Sequence, residues 1–158
     1  CFISLRVFYT AGPDMKLSLQ TDFALRVLIY AAFRDERINI SDVANFFDIS
    51  KAHVAKVVNL LSRHGYIRSI RGVGGGVELA KPPEDITIGE IINCVEGQAH
   101  MLDCMSMSNV CVIEQFCNLK NVLFEAEQIQ NDYLTTKTIA DVLPGNRQMK
   151  SIINIESP

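Results

Sequence analysis

A mainly α-helical fold with a small β-hairpin wing is what the 158-residue sequence predicts: a winged helix-turn-helix followed by a long C-terminal dimerisation helix. Three observations carry it. Two helical segments are joined only by Asp48-Ile49, a glycine-tipped hairpin pattern follows at once, and one amphipathic stripe runs from Asn118 to Thr135. The length suits one compact domain with an appendage. Nearly half the residues are apolar and about a fifth are charged, the composition of a chain that folds around a core. No uncharged apolar run of about eighteen residues occurs, so no membrane span is expected.

Cys1 to Asp14 open with Cys and carry Arg6 inside a short apolar stretch, a poor secretory signal without a small-residue cleavage site. Residues 1–14 therefore read as an upstream or non-native extension, with Met15 as the native start and the cytoplasm as the expected location. Asp22 to Phe33 has Phe23, Val27, Tyr30 and Ala31 on one helical face. Ser41 is the expected N-cap of a short helix, Asp42 to Phe47, and Ser50 that of a second, Lys51 to Arg63. In the second, Val54, Val57, Val58 and Leu61 repeat at i, i+3, i+4 and i+7 and should pack inward. Lys51, Ala52, His53, Lys56 and Asn59 are left facing out. Small and hydrogen-bonding residues at the start of such a helix suit a DNA major groove, although an ordinary surface helix has the same pattern.

Tyr66 to Arg71 and Val77 to Ala80 read as two strands joined by Gly72-Val73-Gly74-Gly75-Gly76. Arg68 and Arg71 flank a tip almost free of side chains, so the backbone at Gly74 and Gly75 is expected to approach a phosphate or a narrow minor groove. Nucleotide binding is set aside: no Gly-Lys-Ser/Thr follows, and Val77 stands where a dinucleotide fingerprint needs its third Gly. Charge supports the nucleic-acid reading. The net charge is −3, yet Met15 to Lys81 holds ten Lys or Arg against six Asp or Glu, and Pro82 to Pro158 four against eleven. Between Asp48 and Glu78 there is no acid, only Lys51, Lys56, Arg63, Arg68 and Arg71. A polyanion would be drawn to that segment, and a merely solvated basic face is the plain alternative. Residues 15–81 are thus predicted to form the DNA-binding domain.

After Pro82-Pro83 the pattern Ile88, Ile91, Ile92 and Val95 marks a connector helix in residues 82–103, with Cys94 as a small buried hydrophobe. Residues 104–117 then bring Cys104, Cys111 and Cys117 close together in a stretch rich in Ser, Asn and Met. Reduced thiolates of a cytosolic chain select zinc, Cu(I) or an iron–sulfur cluster. The spacings exceed the Cys-x2-Cys knuckle of structural zinc, which favours a larger object; zinc and redox-active thiols remain open. An enzyme of thiol chemistry would need a base beside a Cys, and of His53, His64 and His100 only His100 is near in sequence. Leu119, Val122, Leu123, Ala126, Ile129 and Tyr133 line one face of the helix in residues 118–143. A second copy of the chain is one partner for that face, since a two-fold dimer sets two reading helices on successive turns of a duplex; packing within the chain is the other. Residues 144–158 read as a flexible tail.

Thr21-Asp22-Phe23-Ala24-Leu25-Arg26, the run Arg71 to Leu79, Ile86-Thr87-Ile88-Gly89-Glu90-Ile91 and Cys104…Cys111…Cys117-x-Leu119-Lys120 together resemble the NsrR and IscR group of winged-helix iron–sulfur regulators. The resemblance spans nearly all of Met15 to Leu143, and within the group it is strongest to the nitric-oxide-sensing branch. It implies a homodimeric repressor of a palindromic operator in double-stranded DNA. It also implies that Cys104, Cys111 and Cys117 ligate a cluster together with Asp22 of the partner subunit, Arg26 lying one helical turn from Asp22. Without the resemblance, Asp22 reads simply as an acid favourably placed at a helix N-terminus.

Six residues separate Cys104 from Cys111, more than the group generally has, which leaves the cluster type open. IscR-like members use a His after the third Cys with a 2Fe–2S cluster; no His follows Cys117, so a 4Fe–4S cluster with Asp22 is the expectation. The implied mechanism is that the cluster fixes the cysteine loop and the angle between the two DNA-binding units, and that nitric oxide releases both. The alternatives are an IscR-like regulator of cluster, iron or redox status and a zinc- or thiol-based regulator without a cluster.

Overall fold

The computed structural model describes residues 17–72, 75–97, 112–113 and 116–145. Helix α1, Leu19–Arg34, starts three residues earlier than its apolar periodicity suggests, because Ser18 caps it: the Ser18 hydroxyl accepts the Thr21 N–H at 3.2 Å. It stops at Asp35, which adopts the left-handed conformation with φ of 47°. Along it Ala24, Val27, Leu28, Tyr30 and Ala31 are buried, so α1 is the central helix of the core, as the helical spacing of its apolar residues predicts.

Helix α2 spans Ile40–Phe46, and here the sequence reading needs correction. Ser41 lies inside the first turn, and the cap is Asn39, whose backbone N–H and side-chain amide donate to the Asp42 carboxylate at 3.4 and 3.3 Å. Starting at Ile40 puts Asp42 at the third helical position, from which a carboxylate reaches back to the free N–H of the cap. The turn then runs through Phe47 and Asp48, whose φ of 52° reverses the chain, and the Ile49 N–H closes it on the Ala44 carbonyl at 2.9 Å. Ser50 caps α3, Lys51–Arg63, as expected. Val54, Val57, Val58 and Leu61 are buried against α1 and α2.

Strands β1, Ile67–Ile70, and β2, Gly76–Leu79, pair antiparallel with Ile67 opposite Leu79 and Arg68 opposite Glu78. A further bridge, on the other edge of β2, comes from the α1–α2 connection, where Ile38 and Val77 exchange both backbone hydrogen bonds at 2.9 Å. Gly76 is required at that crossing: a Cβ there would lie 2.8 Å from the Ile38 carbonyl oxygen. The wing is thereby stitched to the helices that it follows.

Behind this unit, α4, Ile88–Glu96, opens with a reciprocal cap between Thr87 and Glu90. Helix α5, Asn118–Thr135, has the bounds that its apolar stripe predicts. The chain leaving α5 runs back alongside residues 86–88, with Ile88 N–H on the Lys137 carbonyl at 2.7 Å and Ile139 N–H on that of Ile86 at 2.8 Å. Ile86, Ile91 and Ile139 are fully enclosed. Helices α4 and α5 approach closely at Gly89, where a Cβ would meet the Thr135 methyl at 2.6 Å. No helix among the described residues is long and apolar enough to cross a membrane.

Candidate nucleic-acid interface and metal centre

On α3 the buried valines and Leu61 fix the outward face, and Lys51, Ala52, His53, Lys56 and Asn59 are all exposed on it, as the spacing requires. The first turn of α3 holds no acid, so its free N–H groups and Lys51 present a positive end. Ser50 organises that end: its hydroxyl accepts the His53 N–H at 3.3 Å and lies 2.9 Å from His53 Nδ1. The imidazole also rests near Phe23 of α1, with 5.9 Å between ring centroids. Among the described residues no carboxylate pairs with Lys51, Lys56 or Arg71.

The wing arginines differ. Arg71 is exposed at the end of β1. Arg68 is drawn across the hairpin to Glu78, Nε to Oε1 at 2.6 Å, and Glu78 also faces Arg37 at 3.4 Å. The hydrogen bond from Arg68 holds the Glu78 carboxyl below its usual range. The acid-free interval from Asp48 to Glu78 is real in sequence, but the register sets the acid that ends it opposite Arg68. Gly75 has an internal reason to be glycine, since a Cβ there would lie 2.6 Å from the Ile70 carbonyl oxygen. Gly74 lies outside the described residues.

Of the expected metal ligands, Asp22 and Cys117 are described, whereas Cys104 and Cys111 fall outside the described residues. Both described ligands sit at helix starts. Cys117 is a half-buried free thiol at the N-cap of α5. Asp22 stands in the first turn of α1, and Arg26 grips it with two contacts, Nε to Oδ1 at 3.0 Å and Nη2 to Oδ2 at 2.9 Å. The pair is accessible, with Asp22 and Arg26 side chains 41% and 43% exposed, and the Arg26 guanidinium lies 5.6 Å from the centre of the Phe47 ring, in the turn before α3. The donor set, soft thiolate plus a carboxylate that can be released from its Arg, is chemically suited to iron–sulfur ligation. Among the described residues no three His, Cys, Asp or Glu side chains gather as a metal site, so the set is complete only with Cys104 and Cys111. Cys94 is half-buried in the connector, and burial pushes its thiol upward, away from ligand chemistry.

Sequence reasoning missed Ser18, Thr21 and Glu96. Thr21 is fully buried and donates its hydroxyl to Glu96 Oε1, which also accepts the Ser18 N–H at 2.7 Å. Seventy-five positions separate Thr21 from Glu96, and no periodicity links them.

A family model described as Rrf2, iron-dependent transcriptional regulator, matches residues 17–145. The chain is 37% identical over 143 residues to the HTH-type transcriptional regulator NsrR of Bacillus licheniformis, covering 89% of this chain and all of that one. It is 37% identical over 145 residues to the protein of the same description from Bacillus subtilis, covering 90% and 99% of the two chains. Among solved structures, the oxidised form of CymR from Staphylococcus aureus is similar at a TM-score of 0.67 and 25% identity, covering 83% of this chain and 98% of that one. IscR of T. potens shares the fold at a TM-score of 0.65 and 21% identity, covering 91% and 93%.

Proposed function

The chain belongs to the Rrf2 family of transcriptional regulators, and from that premise we propose that it is a cytoplasmic, two-fold dimeric repressor that releases a palindromic operator when nitric oxide reaches a bound iron–sulfur cluster. A DNA-binding regulator, not an enzyme, is what the named relatives are. The finer reading rests on one observation above others: α1 carries Asp22 and Arg26 at one end and packs directly on α3, whose basic face is the exposed one.

Residues 15–81 then form the reading head, with Lys51, Ala52, His53, Lys56 and Asn59 toward base edges and phosphates and Arg68, Arg71, Gly74 and Gly75 in the wing. Residues 82–103 connect it to the cysteine segment, 104–117, and residues 118–143 supply the contact between subunits, with 144–158 as a tail. Cys104, Cys111 and Cys117 with Asp22 of the partner subunit would hold the cluster, 4Fe–4S in preference to 2Fe–2S. When bound, the cluster supplies iron that nitric oxide attacks.

The chain's own part is the exchange of partners at Asp22. A carboxylate committed to the other subunit leaves Arg26 free over Phe47, and a carboxylate returned to Arg26 restores the bidentate pair. Because Phe47 leads into the turn before α3, that exchange bears on the seat of the reading helix. A difference of about 3 kcal/mol between the two arrangements changes operator affinity by roughly two orders of magnitude.

Anaerobic purification tests the proposal. The protein should be coloured, carry iron and sulfide, and lose operator binding with its colour on exposure to nitric oxide. A colourless, zinc-loaded protein, or operator affinity indifferent to removal of the cluster, overturns it.

A further inference from the structure

Helix α4 is held from two sides. On one side α5 grips it: Gly89 lies against Thr135, and the Asn93 amide donates to Asn131 Oδ1 at 2.8 Å. On the other side Glu96, its last residue, closes the first turn of α1. Glu96 Oε1 accepts both the Ser18 N–H, at 2.7 Å, and the Thr21 hydroxyl, while Ser18 Oγ accepts the Thr21 N–H. Thr21 is the buried polar side chain of this region and directly precedes Asp22. A carboxylate that accepts two hydrogen bonds at a helix start is favoured by charge assistance and by the helix dipole. Accordingly, those bonds hold the Glu96 carboxyl below its ordinary value, the Thr21 hydroxyl contributing most.

The elements so joined are those that matter to the proposed metal site. Cys117 heads α5, α5 is fastened to α4, and α4 is fastened through Glu96 to the turn that presents Asp22. We propose that Glu96 is a positioning residue that makes the helix headed by Cys117 and the turn bearing Asp22 one mechanical unit within each subunit, and so sets where Asp22 is offered to the partner. This rests on the cluster reading above. Its consequence is that the two iron sites of the dimer are not independent. Each subunit gives three thiolates to one site and a carboxylate to the other, and Glu96 lies between the two gifts.

Three variants test it, each measured without and with the cluster. In the cluster-free protein, Glu96→Ala should raise amide hydrogen exchange at residues 18–22 about ten-fold, the scale of losing a hydrogen bond to a charged group. Thr21→Val, which keeps the shape and removes the hydroxyl, should move the same amides less, and Glu96→Gln, which keeps an acceptor, should restore most of the protection. In the loaded protein, the visible circular dichroism of Glu96→Ala should shift toward that of Asp22→Ala, and the double variant should match Asp22→Ala alone. A Glu96→Ala protein with wild-type exchange at 18–22, or with a wild-type cluster spectrum, overturns the proposal while leaving the cluster reading intact. A colourless wild-type protein overturns both.

Discussion

The reading head and α5 bury their apolar residues in opposite ways. In the head, α1 and α3 enclose Val27, Leu28, Val54, Val57 and Leu61 almost completely, and α3 turns Lys51 and Lys56 outward. Helix α5 has no buried residue at all and shows solvent Leu119, Val122, Ile129 and Tyr133, each more than half exposed. An open apolar cavity of about 660 Å³, lined by Leu25, Ile29, Ile88, Tyr133, Leu134 and Val142 among others, continues that face between α1, α4 and α5. One region completes its core within a chain; the other has apolar surface that costs free energy until something covers it.

The sharpest way to break this contrast is to damage each region and compare the losses. Leu61→Ala removes a fully enclosed side chain and should cost about 2–5 kcal/mol of folding stability, read from urea unfolding. Ile129→Glu, at a position 63% exposed, should leave the far-ultraviolet circular dichroism of the fold intact and abolish the proposed dimer in sedimentation velocity. If Ile129→Glu unfolds the chain outright, or leaves a dimer of wild-type affinity, α5 is not the unsatisfied surface that the comparison makes it.

What the sequence made legible follows the same division. The bounds of α3 and α5 were readable because their apolar residues repeat with one helical period, and Ser50 marks its helix start by chemistry as well as by position. Ser41 misled because two candidate caps stand close together, and the choice fell to Asp42, whose carboxylate serves only a helix that begins at Ile40. The candidate site was legible in residue type at the exposed face of α3 and the basic hairpin, whereas Asp22 with Arg26 entered only through the family resemblance. It was not legible in pairing. That Arg68 faces Glu78 depends on strand register, and that Glu96 bonds Ser18 and Thr21 at the start of α1 depends on how α4 packs on it, neither of which local pattern encodes.

The head itself sharpens under a second, smaller set of changes. Lys56→Ala should weaken specific operator binding by about 1–3 kcal/mol if it meets a base edge, with little change in stability. Arg71→Ala should lower the slope of log affinity against log salt by about one, as expected of a lost phosphate contact. Arg68→Ala should change that slope less, because Glu78 already compensates its charge. Equal slopes for the two arginine variants would mean that Glu78 gives up Arg68 on DNA.

The smallest effect separates two carboxylates that both titrate below their ordinary value. Glu96 is tied to a buried Thr21, whereas Glu78 lies across an exposed pair that solvent screens. For a carboxyl whose folded value is depressed, the unfolded chain takes up the proton first as pH falls. The stability that it contributes is therefore full above about 4.5, the unfolded value, and drains away as pH drops through the folded one. Unfolding followed between neutral pH and the acid range should show an acid-side loss in wild type that Glu96→Gln lacks and Glu78→Gln retains. The Glu96 contact with the start of α1 is then a real part of the fold's stability, and the wing pair is a surface contact that adds little to it. The reverse result would place the stabilising carboxylate in the wing and leave the start of α1 held by Ser18 rather than by Glu96.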